Sequence, residues 1–72
     1  MTNDTTVSAQ RLTRDALRAI DVGETHTFRL PNATACDNGK VVAYQMQNIL
    51  QCKFSVKTDY ANNTLTITRN AL

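Results

Sequence analysis

The chain has no tryptophan, one histidine (His26), one proline (Pro31), two glycines (Gly23 and Gly39) and two cysteines (Cys36 and Cys52). Each scarcity excludes something. A lone histidine with no CxxC or paired Cys/His spacing leaves no ligand set for a structural zinc. Two isolated glycines make no phosphate-cradling loop. No apolar run approaches the roughly 18 residues of a membrane span. No apolar leader segment opens the sequence, so a cytoplasmic location is the expectation, and the Asn-x-Thr triplets at Asn3, Asn32 and Asn62 read as chance. A mostly helical segment between Cys36 and Cys52 would hold them about 20 Å apart, too far for an intrachain disulfide.

Catalytic inventory is equally thin. Glu24 and the five aspartates are scattered, without the pairing that glycoside or metal chemistry needs. His26 falls on the apolar face of a predicted strand, near its end, where a rim histidine is expected rather than a general base. Cys36 stands in the first turn of a predicted helix, but it and Cys52 read as small buried hydrophobes. The expectation is a non-enzymatic protein with no catalytic residues, cofactor, metal or small-molecule substrate.

What is present is enough for one thin domain. A core in 72 residues rarely supplies more than roughly 3–5 kcal/mol, so with disulfide and zinc set aside, homo-oligomerisation is the expected supplement. The formal net charge of +2 permits attraction to nucleic acid without demanding it. Where the charges lie therefore matters more than their sum.

Residues 1–7 lack apolar periodicity and are expected to form a disordered tail, with a single domain over 8–72. From an N-cap at Ser8, Leu12, Ala16 and Ile20 recur at helical spacing, and Asp21-Val22-Gly23 ends that helix. Thr25 to Leu30 alternates as a strand with His26, Phe28 and Leu30 inward, and Pro31-Asn32 breaks it. Thr34 and Asp37 suit a capping box for a second helix to about Leu50, with Val42, Met46 and Ile49 inward, although Asp37-Asn38-Gly39 could delay its start to Lys40. Strands follow at Cys52–Thr58 (Cys52, Phe54 and Val56 inward) and Thr64–Arg69 (Leu65 and Ile67 inward), joined by a turn-rich Asp59–Asn63. The order α-β-α-β-β implies an α+β fold with a small three-stranded antiparallel sheet and both helices on one face.

Three surfaces then stand out. Arg11, Arg14 and Arg18 make a basic stripe on the first helix, with Asp15 as the nearby carboxylate; such a stripe is also what an ordinary solvated face looks like. The outward sheet face would gather Arg29, Lys53, Lys57, Ser55 and threonines 25, 27, 64, 66 and 68 without a carboxylate. Hydroxyls and cations of this kind hold phosphate backbones, and exposed strands also favour threonine for its own sake. No aromatic residue belongs to that face, so base stacking is not implied. The outer side of helix two carries Lys40, Tyr44, Gln47, Asn48 and Gln51, a polar, nearly uncharged set suited to solvent, a protein partner or base readout.

From Ile20 to Arg69 the chain also resembles a class of small phage and prophage proteins. The resemblance rests on Gly23-Glu24 before a strand ending in Phe28, an Ala/Tyr helix, the Lys53-Phe54 strand and a last strand reaching Arg69. The class has Lys-Phe-x-Thr-Arg where this chain has Lys53-Phe54-Ser55-Val56-Lys57, and an aromatic residue where Thr68 stands. It implies a compact protein of a phage or mobile element, a setting that favours small DNA-binding accessories and inhibitors of host proteins. Two functions follow as expectations. One is nucleic-acid binding through Arg29, Lys53 and Lys57, supplemented by Arg11, Arg14 and Arg18. The other is a protein-binding inhibitor or adaptor of a host protein that presents helix two, with Tyr44 as anchor.

Overall fold

The structure, a computed structural model, describes residues 4–72, with side chains from residue 6 onward. The element order is β1 (Asp4–Ser8), α1 (Arg14–Arg18), β2 (Thr25–Arg29), α2 (Ala33–Leu50), β3 (Cys52–Asp59) and β4 (Thr64–Ala71). The fold is α+β with two helices and a four-stranded mixed sheet in the order β1-β2-β4-β3. The expected antiparallel trio is present as β2-β4-β3; β1 adds a fourth strand, parallel to β2.

That strand corrects the expectation of a disordered tail over residues 1–7. Asp4–Ser8 pairs with Thr25–Arg29 in register, and the Ala9 N–H extends the ladder to the Arg29 carbonyl. Residues 1–3 of the expected tail lie outside the described residues. Thr6 and Val7 are β-branched and suit a strand, yet one apolar residue in five yields no alternation to read. The pairing is non-local, and α1 provides the crossover that parallel neighbours require.

Because Ser8 belongs to β1, it cannot cap a helix. The cap is Thr13, whose hydroxyl accepts from the Ala16 N–H at 3.2 Å, and α1 is only five residues long. Leu12 therefore sits in the connection, although it, Leu17 and Ile20 are all buried. Helix α2 begins earlier than its expected Thr34 box. Asn32 caps it, accepting from the Ala35 N–H at 2.8 Å, and Asp37-Asn38-Gly39 is continuous helix.

Gly39 is there for space, since a Cβ would stand 2.9 Å from Leu65 Cδ2 and 3.3 Å from Leu12 Cβ. The buried stripe of α2 runs Cys36, Gly39, Ala43 and Met46, a helical spacing rotated from the expected Val42–Met46–Ile49. Val42 is half-buried, and Ile49 is 56% exposed, which corrects its inward assignment. The helix ends at Gln51 in a left-handed conformation (φ 54°), its N–H donating to the Gln47 carbonyl.

The sheet alternates as its sequence implied. Phe28 pairs with Leu65, Ile67 with both His26 and Val56, and Phe54 with Arg69, so these residues share one face. Helix α2 lies against β3 and β4, and α1 packs on α2. Residues from both helices and from β2, β3 and β4 join in one core cluster. Both cysteines are buried within it as free thiols. Burial, and secondarily the neighbouring Asp37 carboxylate, push the Cys36 thiol above its ordinary pKa, opposite to what a reactive cysteine needs. Among the described residues no helix is long and apolar enough to cross a membrane.

Candidate functional site

The face of the sheet away from α2 can be built from register alone. Its rows across β1, β2, β4 and β3 are Ser8, Arg29, Thr64, Asp59, then Thr6, Thr27, Thr66, Lys57; the next row, across β2, β4 and β3, is Thr25, Thr68, Ser55, and Asn70 stands beside Lys53. Every threonine, serine, lysine and arginine expected on this face is on it. Arg29, Lys53, Lys57 and Ser55 are exposed, while the central threonines are half-buried.

Two cross-strand hydroxyl pairs order the centre, Thr25 with Thr68 at 2.8 Å and Thr27 with Thr66 at 3.3 Å, and Asn70 Nδ2 donates to Ser55 Oγ at 3.0 Å. In each hydroxyl pair only one oxygen donates to the other. Such ladders stabilise the pairing by tenths of a kcal/mol to about 1 kcal/mol each.

The expectation of a carboxylate-free face is corrected at its corner. Asp59 closes the Arg29 row, two strands (about 10 Å) from Arg29. Its charge is spent locally. The carboxylate accepts from the Asn62 side chain at 2.8 Å and from the N–H groups of Ala61 (3.0 Å) and Asn62 (3.4 Å). These bonds, the Asn62 side chain foremost, hold it below the usual aspartate pKa.

The three arginines at 11, 14 and 18 are not a helical stripe, because Arg11 precedes α1. Tertiary structure nevertheless brings them together. All three line an open groove of about 910 Å³ between the β1–α1 segment and the start of α2, floored by Leu12, Gly39 and Val42 and bordered by Gln10, Pro31, Asn32 and Asn38. Asp15 is the single carboxylate among its described lining residues. It lies 3.6 Å from Arg18 as an exposed i,i+3 pair, an interaction of roughly 0–1 kcal/mol that leaves the groove cationic. In chemical terms it is a trough with guanidinium donors on its rim, suited to a chain of anions.

In comparisons with known proteins, the chain matches no family model, no curated protein and no solved structure.

Helix α2 presents a different character. Of the five residues expected on its outer side, Tyr44, Asn48 and Gln51 are exposed, whereas Lys40 and Gln47 are half-buried. Gln47 is structural: its Oε1 accepts from the Phe54 N–H at 2.8 Å and ties α2 to β3. The exposed residues of the helix also include Val41 (54% exposed) and Ile49, in addition to Tyr44 (47%). The run from Val41 to Cys52 contains no charged residue. Placing Val41 and Ile49 outside required the rotation of the helix, which hydrophobic spacing misjudged.

Elsewhere, His26 is half-buried at the sheet end with Nε2 3.7 Å from Glu24 Oε1, the rim position expected. Tyr60 OH donates to Asp37 Oδ1 at 2.6 Å, pinning the β3–β4 loop to α2. That bond, and less so desolvation and the charge of Asp37, raise the Tyr60 phenol above its ordinary value near 10. A raised folded-state value means the contact supports the fold below pH 10 and is lost as pH rises through the shifted value. In a Tyr44→Phe background Tyr60 is the one remaining tyrosine, and its 295 nm absorbance should rise late. Adding Asp37→Asn should move that titration down; no movement would mean the contact is absent in solution.

Proposed function

We propose that the protein is a small non-enzymatic accessory that binds nucleic acid through phosphate contacts. The observation that carries this reading is the meeting of Arg11, Arg14 and Arg18 in one open groove that contains a single opposing carboxylate. Three guanidiniums brought near one another repel, and the arrangement is favourable when anions sit among them. Arg29, Lys53 and Lys57 on the exposed sheet face add three more cations among hydroxyl donors. No exposed aromatic residue lines either surface, so recognition is of the backbone and tolerant of sequence.

Counterion release makes such binding steeply salt-dependent. Arg11→Ala with Arg14→Ala should flatten the slope of log affinity against log salt by about 1.4–1.8, from two phosphate contacts at about 0.7–0.9 each. Fluorescence anisotropy with a labelled oligonucleotide measures this. Absence of binding at low salt would dismiss the reading.

A second reading is favoured by one observation: Val41, Tyr44 and Ile49 are exposed on an uncharged side of α2. Apolar and tyrosine surface of this kind suits a protein partner, as in an inhibitor or adaptor of a host protein, with Tyr44 as anchor. Capture of a specific partner that survives nuclease treatment and is lost in Tyr44→Ala would select this reading over the first.

A further inference from the structure

The two cationic surfaces lie on different layers of the molecule, yet the structure joins them. On the sheet face, Thr6, Thr27, Arg29, Asn62 and Thr64 line a shallow depression. A second depression, at the C-terminal ends of β1 and β2, shares Arg29 with it and is completed by Ser8, Ala9, Gln10, Leu30 and Pro31. Gln10 and Pro31 are in turn part of the arginine groove. The three depressions thus adjoin one another, from the hydroxyl face, round the end of the sheet past Arg29, to the trough of Arg11, Arg14 and Arg18.

We propose that this is one track and that its occupant is a flexible single strand of nucleic acid, bent round the β1–β2 end. The inference rests on the nucleic-acid reading above and specifies which nucleic acid. Charge complementarity selects a polyanion, because the trough carries three guanidiniums and a fourth, Arg29, is shared by the sheet arm and the bend. The turn selects flexibility. The molecule measures 30 × 29 × 17 Å, so a ligand on both arms must reverse its course within the thickness of a sheet and a helix. Duplex DNA, with a persistence length of about 50 nm, is straight on that scale and would occupy one arm alone. A duplex strand rises about 3.4 Å per nucleotide and an unstacked single strand extends further, so a track a little longer than the 30 Å dimension takes at most about ten nucleotides.

The arms can be tested separately. Arg14→Ala removes a cation from the trough, and Thr6→Glu places a carboxylate on the sheet arm at an exposed position. Far-ultraviolet circular dichroism verifies that both variants keep the fold. Anisotropy titrations with oligo-thymidine of 5, 10 and 15 nucleotides and with a 15-base-pair duplex then read the occupant.

The proposal expects single-strand affinity to climb from 5 to about 10 nucleotides and then level. It expects each substitution to weaken the 15-mer by about fivefold at 0.1 M salt, the effect of one counterion, and the duplex to respond to one substitution at most. A single strand that responds to only one substitution, or a duplex that responds to both, overturns the wrapped track while leaving phosphate binding intact. Failure of every oligonucleotide to bind overturns the parent reading and the track with it.

Discussion

Phe28→Ala is expected to abolish the cooperative thermal unfolding of this protein. Phe28 is 1% exposed at the centre of the core face, opposite Leu65 on β4 and level with Val7 on β1. It is also 6.3 Å from the His26 ring, in a tilted arrangement. Truncating a buried phenylalanine costs about 3–5 kcal/mol, from lost transfer energy and from the cavity left behind. A single small core supplies roughly that much in total. The two quantities cancel, so the variant's melt, followed at 222 nm, should be a shallow drift without a midpoint. Phe28→Leu, which fills most of the volume, should retain a transition at lower temperature. A cooperative melt in the alanine variant would mean that the sheet is held by its hydroxyl ladders and edges more than by its apolar face.

The second large effect falls on Arg69, which alternation turns toward the helical side, opposite Phe54. Its Nη1 donates to the Ile20 carbonyl at 2.9 Å, just past the end of α1. Its own backbone holds the same loop, accepting from the Gly23 N–H at 2.7 Å and donating to the Glu24 carbonyl at 3.1 Å. Gly23 is at φ 88°, a conformation that glycine adopts without strain, and this lets the loop meet β4.

A hydrogen bond from a charged donor contributes about 1.5–3 kcal/mol. Arg69→Ala should therefore lower the melting temperature by on the order of 10 °C, taking 4–8 °C per kcal/mol for a domain of this size. Arg69→Met separates the causes. It keeps a buried stem, and it removes a guanidinium whose Nε is buried with no partner among the described residues. Because methionine also lacks the donor to the Ile20 carbonyl, its loss should approach that of alanine; a clearly smaller loss would show that the packed stem, not the donor, accounts for most of the effect. Arg69 is thus a clamp between the last strand and the α1–β2 connection.

How much of this was legible differs by element. Strands β2, β3 and β4 announce themselves because each alternates, and their register follows once Phe28, Leu65, Ile67, Val56 and Phe54 must share a face. Helix α2 is legible in extent, while its rotation is not. Val42, Met46 and Ile49 fit an inward stripe as well as Cys36, Ala43 and Met46 do, and the packed arrangement, in which Gly39 approaches Leu12 and Leu65 and Ile49 is exposed, distinguishes them.

Strand β1 was invisible because its stability resides in hydrogen bonds to a strand 21 positions away in register, Asp4 to Thr25, and not in its own pattern. With β1 in place Ser8 is consumed by the sheet, α1 shrinks to five residues, and Arg11 leaves the helix. The same rearrangement turns a presumed solvent-facing stripe into the lining of a groove.

The amino-acid order by itself determined the polar scarcity of catalytic groups, the α+β alternation and the segregation of threonine and lysine from the apolar positions of the sheet. These are local properties, set by side-chain volume and by the two- and 3.6-residue periods of the backbone. Tertiary structure alone decided that Arg11, Arg14 and Arg18 face one trough. It also decided that Arg29 stands where the two surfaces meet. Those outcomes depend on a parallel strand pairing and a helix rotation, whose free energy comes from contacts between residues far apart in the chain.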